Sequence, residues 1–372
     1  MAATDQALAE GLLALFQREG YERAEPGILQ PAGIFLDVSG EDMRKRMFMT
    51  QDGDGQEWCL RPEYTIPVCR DHLAGRHAGE ARGYAYLGPV FRMRSGEPGE
   101  FLQAGLELIG RTDSEAADAE VLAITCEAVA MAGLAAPRIR LGDVAILRAV
   151  LRGLNLPAAA QRKLMRAVSA GEGERALAAL DTVEAPGQDT HAGLFAALQG
   201  QDPGAAKRFV EDVLSIAGIA SVGGRSAGDI ASRFLARASE REQTIAPEAR
   251  QIMAGVLAVE GDPDEAATAL RALAKDAGLD LAGELDVLEA RTGFMAARGL
   301  DVAAMQFSAG FARNLDYYTS VMFELHDPAP GSPKPVAGGG RYDTLLGKLG
   351  AESPIPAVGA SIWLDRLTRR PA

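Results

Sequence analysis

Positive charge is scarce in this chain. Its 372 residues hold 38 Lys and Arg against 51 Asp and Glu, a formal net charge of −13. Nucleic-acid affinity comes mainly from Lys and Arg neutralising phosphates, so RNA and DNA are not the default partners. Cysteine is scarce too. Cys59, Cys69 and Cys126 form no CxxC pair, and an odd, widely spaced set argues against a disulfide framework, a zinc ribbon or secretion. The four histidines, His72, His77, His191 and His326, make no HExxH pattern, so no metal site is expected. No run of 18 apolar residues is free of charge, which excludes a spanning helix. The N-terminus carries Asp5 and Glu10 and lacks a basic stretch, so it does not read as a signal peptide. A cytoplasmic protein is the expectation.

What is present suits a globular protein. Apolar residues make up 47% and charged residues 24%, too apolar for disorder. The length allows two or three domains at roughly 100–200 residues each. No internal repeat or low-complexity tail is visible. The stretch 155–298 is Ala- and Leu-rich with long helical patterns, while 1–154 and 299–372 mix short strands with Gly-rich turns. The outer parts therefore read as one sheet-containing core, and 155–298 as a mainly helical insertion. Leu8, Leu12, Leu13 and Phe16 line one face of a first helix. Strands are expected at 57–60, 84–92, 101–110, 138–141, 304–309 and 321–325, and helices at 113–131 and 144–154. The run 337–342, with Gly338, Gly339 and Gly340, reads as a turn into a helix over 343–349. It lacks the spacing of a phosphate loop.

Three segments hold candidate chemistry. In the strand at 101–110, alternation puts Gln103 and Glu107 on one face with Gly105 between them. A solvated sheet face and a ligand-binding face both fit, and a glycine inside a strand often leaves room for a ligand. Glu63 and Thr65 lie two apart, so an extended segment would point them the same way; an Arg61–Glu63 surface pair is the plainer reading. The corner at 313–319 packs Arg313, Asp316, Tyr317 and Tyr318 together, a cation for an anion and hydroxyls for hydrogen bonds. Adjacent tyrosines usually split between core and surface.

Taken in order, these segments resemble the catalytic core of class II histidyl-tRNA synthetases. The stretch 20–26, ending in Pro26, is similar to the proline-bearing first motif. Leu60-Arg61-Pro62-Glu63-Tyr64-Thr65, followed by Arg70, is similar to the LRPE-x-T segment. The stretches 88–92 and 101–107 resemble the two strands of the second motif. Arg313-Asn314-Leu315-Asp316-Tyr317-Tyr318 is similar to R-G-L-D-Y-Y, with Asn314 for the glycine, and 337–343 to AGGRYD. The stretch 356–366 resembles the third motif. The resemblance covers about 18–133 and 304–367. It implies an α+β fold of the class II aminoacyl-tRNA synthetase type: an antiparallel sheet flanked by helices, with the helical insertion to one side and a homodimer formed near Pro26.

The departures shape the expected function. An anticodon-binding domain of roughly a hundred residues, which the resemblance would put after the third motif, is not expected. In the second motif Arg94 stands where a Glu belongs, and the loop after it holds Glu97 and Glu100 rather than cations. In the third motif Trp363 replaces the glycine against which adenine would lie. These losses remove ATP and tRNA functions and leave an amino-acid pocket. By the resemblance, Glu63, Thr65 and Gln103 would take the α-amino group of free histidine. Arg313 would pair with its carboxylate, and Glu107, Tyr317 and Tyr318 would line the imidazole end. That combination resembles the regulatory subunits of ATP phosphoribosyltransferase, the first enzyme of histidine biosynthesis. It implies no catalytic residue and no cofactor, a short-form catalytic subunit as partner in a hetero-octamer, and allosteric feedback inhibition by L-histidine. The alternatives are a truncated synthetase-like enzyme forming histidyl-adenylate and a tRNA-binding module.

Overall fold

In the computed structural model, the described residues are 3–39, 41–156, 158–173, 246–312, 318–329 and 334–367, with isolated positions between 175 and 226. The elements run in chain order as follows. The first third holds α1 (Ala3–Arg18), β1 (Glu22–Arg23), β2 (Leu29–Pro31), α2 (Gly33–Ser39), α3 (Glu41–Arg44), β3 (Met49–Gln51), β4 (Glu57–Leu60), α4 (Thr65–Ala74), β5 (Arg82–Phe91), β6 (Glu100–Ile109) and α5 (Ser114–Met131). Next come β7 (Arg138–Asp143), α6 (Val144–Gly153), α7 (Ala158–Ser169), β8 (Ser221–Val222), β9 (Arg225–Ser226), α8 (Pro247–Leu257), β10 (Glu260–Gly261), α9 (Pro263–Ala277) and α10 (Ala282–Ala297). The last part holds β11 (Gln306–Ser308), β12 (Val321–His326), β13 (Ala337–Arg341), α11 (Leu345–Lys348), β14 (Ala357–Trp363) and α12 (Leu364–Leu367).

Nine strands form one sheet in the order β1-β5-β6-β14-β13-β12-β7-β11-β10, and β2-β4-β3 form a small second sheet. The centre of the large sheet is antiparallel, as expected, but β1 pairs with β5 and β11 with β7 in parallel. The sheet is therefore mixed. A parallel pair needs a long crossover, and the stretch between β7 and β11 supplies one.

Three local expectations change. The run 337–341 is strand β13, not a turn. Gly339 is there because neighbouring strands leave no room: a Cβ on it would lie 2.2 Å from the Gly359 carbonyl oxygen and 2.7 Å from the Phe323 ring. The strand expected over 304–309 is only β11, preceded by a 3-10 turn at Val302–Ala304. The helix after Arg341 is the single turn α11. Asp113 flanks α5 but does not cap it, because its carboxylate is held by Arg111 at 2.6 Å. Pro89 fits inside β5 because β1 covers only Tyr84 and Ala85 on that side.

Helices α8, α9 and α10 share the main core. Met253, Leu270, Leu285, Leu288 and Met295 belong to one buried cluster with Leu122 of α5 and Leu141 of β7. Within it lies a charged knot. The buried Arg291 of α10 donates from Nε to Asp118 (2.8 Å), from one terminal nitrogen to Asp143 (2.8 Å), and from the other to the Ser320 hydroxyl (3.0 Å). Arg341, at the end of β13, donates to the other Asp118 oxygen (2.9 Å) and to Asp343 (2.9 Å). Asp143 also caps α6 by accepting from the Ala145 N–H at 2.8 Å. Arg291→Met strips two buried carboxylates of a cation. We expect a loss of about 3–5 kcal/mol, measured as a lower urea midpoint at unchanged slope. Arg271→Met, on the exposed side of α9 where Arg271 pairs with Asp286 and Glu289, should cost less than about 1 kcal/mol.

Candidate functional site

The polar face of β6 is buried, not solvated. Gln103 and Glu107 are each 1% exposed, because β5 and β14 flank β6 and helix α4 lies against it. Glu107 sits opposite Tyr84 on β5 and Gly359 on β14. Gly359 is required there: a Cβ at that position would fall 1.6 Å from Glu107 Oε2. Three hydroxyls reach the carboxylate. Thr65 donates to Oε1 at 2.7 Å, Tyr342 donates to Oε2, and Tyr86 approaches Oε1 at 3.4 Å. Burial, only partly offset by these hydroxyls, pushes Glu107 up to about 8.

Glu63 takes a part that its spacing did not reveal. The chain turns into α4 at Thr65, so Glu63 and Thr65 do not share an extended face. Instead Glu63 accepts the Thr65 N–H at 2.6 Å and the Ile66 N–H at 3.0 Å, satisfying the first free donors of the helix. Burial raises the Glu63 carboxyl above the usual carboxylate range against the pull of these N–H groups and Arg92. Arg61 is no surface partner for it. It is buried, donates to the carbonyls of Pro89 (2.9 Å) and Pro26 (2.5 Å), and lies over the Tyr64 ring at 4.2 Å.

These residues wall a cavity of about 40 Å³ lined by Glu63, Thr65, Gln103, Tyr318, Tyr342 and Trp363, with Met43, Arg92 and Ser361 beside them. Of the seven candidates read from the sequence, Glu63, Thr65, Gln103 and Tyr318 line this space, and Glu107 lies behind it. Arg313 and Tyr317 lie outside the described residues. Among the described residues, neither end of the Gln103 amide has a hydrogen-bond partner. Gly105 does not leave room for a ligand, as the sequence suggested. A Cβ there would meet the Tyr86 hydroxyl at 2.3 Å and the Ala360 carbonyl at 2.2 Å, so the space belongs to Tyr86.

Sequence reading assigned no role to Tyr86, Tyr342 or Ser361. The signal for two of them lies in register: Tyr86 and Ser361 flank Gly105 on the two neighbouring strands, a bulky hydroxyl residue meeting a glycine. Trp363 does face the cavity. It packs with Tyr64, Tyr86, Val90 and Phe101 in a separate aromatic cluster, and the Arg366 guanidinium stacks on it at 4.6 Å. Arg94 lies 3.7 Å over Phe101 and reaches Glu97 (3.0 Å) and Asp365 (3.3 Å). Glu97 is further held by Lys334. Among the described residues, no group of three His, Cys, Asp or Glu could hold a metal, and no helix is long and apolar enough to cross a membrane.

Comparison with known proteins adds to this geometry. The histidyl-tRNA synthetase family model matches residues 1–222 and 230–367. An ATP phosphoribosyltransferase regulatory subunit of Mesorhizobium japonicum is 41% identical, over 99% of this chain and 98% of that protein. One from Brucella anthropi is 40% identical, over 93% of this chain and 92% of that one. Among solved structures, an ATP phosphoribosyltransferase regulatory subunit/histidyl-tRNA synthetase from Bacillus halodurans shares the fold, with a TM-score of 0.65 at 22% identity, covering 98% of this chain and 78% of that one. A histidine–tRNA ligase subunit from Alicyclobacillus acidocaldarius gives a TM-score of 0.59 at 26% identity, covering 97% and 91%.

The raised carboxyls set a sign for stability against pH. Folded, Glu107 keeps its proton up to about pH 8, whereas the unfolded chain releases it in the ordinary carboxylate range. The unfolded state therefore binds fewer protons between those limits, and stability falls as pH rises through that window. Glu63, raised in the same direction, adds to the slope. Glu107→Gln should flatten the decline between pH 5 and 8, measured by urea unfolding across that range. A slope identical to wild type would mean that the buried carboxyl is ionised throughout.

Proposed function

The chain belongs to the family of ATP phosphoribosyltransferase regulatory subunits, built on the histidyl-tRNA synthetase fold, and from that premise we propose how it regulates. It is a non-catalytic subunit that binds free L-histidine in the Gln103–Glu107 cavity. It supports the activity of a short-form catalytic subunit and conveys feedback inhibition to it. We further propose a cytoplasmic hetero-octamer in which this chain is a homodimer. The proposed pocket comprises Glu63, Thr65 and Gln103 at the α-amino end, Arg313 at the carboxylate, and Glu107, Tyr317 and Tyr318 around the imidazole.

The observation that carries this reading is the Gln103 amide, 1% exposed, on the cavity wall and without a hydrogen-bond partner among the described residues. A buried amide without partners costs about 1–3 kcal/mol. A ligand with both donors and acceptors removes that cost. The cavity supplies groups of the right kinds: the Glu63 carboxyl on its wall, with the Glu107 carboxyl directly behind, and the hydroxyl residues Thr65, Tyr318 and Tyr342. Its 40 Å³ is room for roughly two or three waters. An amino acid enters only if the walls move, so occupancy and conformation are one variable. Differential binding of that kind is what feedback requires.

The alternative, histidyl-adenylate formation, needs a nucleotide beside the amino acid. Trp363 lines the cavity instead, and the Arg94–Asp365 pair lies over the aromatic cluster to which Trp363 belongs. Histidine-dependent ATP–pyrophosphate exchange by the purified chain should stay at background. Exchange above background would replace the regulatory reading with an adenylating enzyme.

Gln103→Leu separates binding from folding. It trades an unsatisfied amide for an apolar group of similar size, so the thermal midpoint should not fall. Histidine affinity should weaken about ten- to hundredfold, the worth of about 1.5–3 kcal/mol for hydrogen bonds to a charged ligand. Calorimetry on the chain and histidine inhibition of the assembled complex are the measurements. Wild-type affinity in a folded Gln103→Leu protein would place histidine elsewhere.

A further inference from the structure

A buried column runs from the cavity wall to the carbonyls of Pro26 and Pro89, beside the start of β2. At the cavity end, the Tyr86 hydroxyl lies 3.0 Å from Ser361 Oγ, 3.3 Å from the Ala360 carbonyl and 3.4 Å from Glu107 Oε1. Ala360 and Ser361 line the cavity. The Tyr86 ring stacks on Tyr64, with centroids 4.3 Å apart and planes within 4°. Arg61 lies over the other face of Tyr64 at 4.2 Å. Its guanidinium ends the column by donating to the carbonyls of Pro26 and Pro89. Arg61, Tyr64 and Tyr86 are 5%, 2% and 0% exposed.

The column has no lateral slack. A Cβ on Gly88 would sit 2.2 Å from the Tyr64 hydroxyl and 3.1 Å from the Arg61 guanidinium, and one on Gly105 would sit 2.3 Å from the Tyr86 hydroxyl. Close-packed groups of this kind transmit a displacement rather than absorb it. At the cavity end there is also a discrete choice. A tyrosine has one hydroxyl proton, and here it faces three oxygens that can accept it: one of the Glu107 carboxyl, a carbonyl and a serine oxygen. A ligand that claims Glu107 or Ser361 changes which acceptor the proton serves. At the far end, the Pro26 segment runs into β2. The Ile28 carbonyl accepts the Arg61 N–H at 2.8 Å and Leu29 faces Leu60 across the ladder. Ile28 and Leu29 are 45% and 49% exposed.

We propose that the Arg61–Tyr64–Tyr86 column is the regulatory link of this subunit: it reports occupancy of the Gln103–Glu107 cavity to the 26–31 segment. The proposal rests on the histidine reading above and names the route by which that signal leaves the pocket. It also identifies Tyr86 as a positioning residue, acting on the carboxylate and on the column rather than through a charge of its own.

The test is amide hydrogen exchange on the full chain, with and without saturating histidine, beside calorimetry on the same samples. In the wild type, histidine should change exchange severalfold at residues 26–31 and at Arg61. Tyr86→Phe keeps the stack and loses the hydroxyl; it should still bind histidine while most of the change at 26–31 disappears. If Tyr86→Phe does not fold, Ser361→Ala, which removes one acceptor and leaves the stack intact, should attenuate the response. Histidine binding with unchanged exchange at 26–31 would overturn the column, as would a wild-type response in either folded variant. Absence of calorimetric binding in the wild type would overturn the histidine reading itself, and the column with it.

Discussion

The buried Glu107 carboxyl, on the third strand of a nine-stranded sheet, is the constraint that the site is built around. Burying it without partners would cost several kcal/mol in either protonation state. Its neighbours are chosen accordingly. Thr65 comes from the start of α4, Tyr86 from β5, and Tyr342 from the residue after β13. Where no donor stands, there must be no atom at all, which is why Gly359 faces it. Four separate stretches of chain converge on one carboxyl, so the pocket cannot form before the sheet does. A buried acid with a pKa pushed up to about 8 is held near the pH at which a small electrostatic change alters its charge.

The second constraint is the Asp118–Arg291–Asp143–Arg341 knot. Buried ion pairs are weak sources of net stability, because desolvation offsets their attraction. They are good at excluding wrong arrangements. The apolar face of α10 could slide along α5 at modest cost, but a guanidinium with three fixed partners cannot. The knot therefore sets how α10 seats against the sheet. It reaches the site as well, because Arg341 precedes Tyr342 and fixes the backbone that delivers the Tyr342 hydroxyl to Glu107.

Much of the fold was legible because it rests on local signals. Period-two alternation located β5 and β6 to within two residues of their observed ends, and placed Gln103 and Glu107 on one face. What was misread depends on distant neighbours. Gly338-Gly339-Gly340 looked like a turn because glycines favour turns; they belong to a strand because Phe323 and Gly359 crowd it. Gly105 looked like space for a ligand, yet the space is filled by a tyrosine on the adjacent strand. Glu63 looked like half of a surface pair, since nothing local says that the chain turns helical at Thr65. For the glycines the deciding atom lies on another strand, and register is invisible to a single strand's sequence; for Glu63 it is the backbone of the helix that begins two residues on.

The same holds for the departures from the synthetase pattern. In sequence, Arg94, the acidic loop and Trp363 look like separate losses. In the fold, they are one structure. Arg94 crosses from the loop to Asp365, two residues beyond Trp363, and it also holds Glu97, which Lys334 holds from the other side. Arg94 covers the outer ring of the aromatic cluster at Phe101, and Trp363 belongs to that cluster. The Glu97 carboxylate that looked wrong for a phosphate-binding loop is right for a loop pinned by its own cation. An arginine where the pattern has an acid thus brings with it an acid nearby and an indole packed beneath. Such a set is maintained together, because Arg94 without Asp365 and Glu97 would be a largely buried, unpaired cation. Removing the indole alone would leave the ionic strap in place, so Trp363 on the cavity wall is one part of a cooperative unit and not a lone bulky side chain.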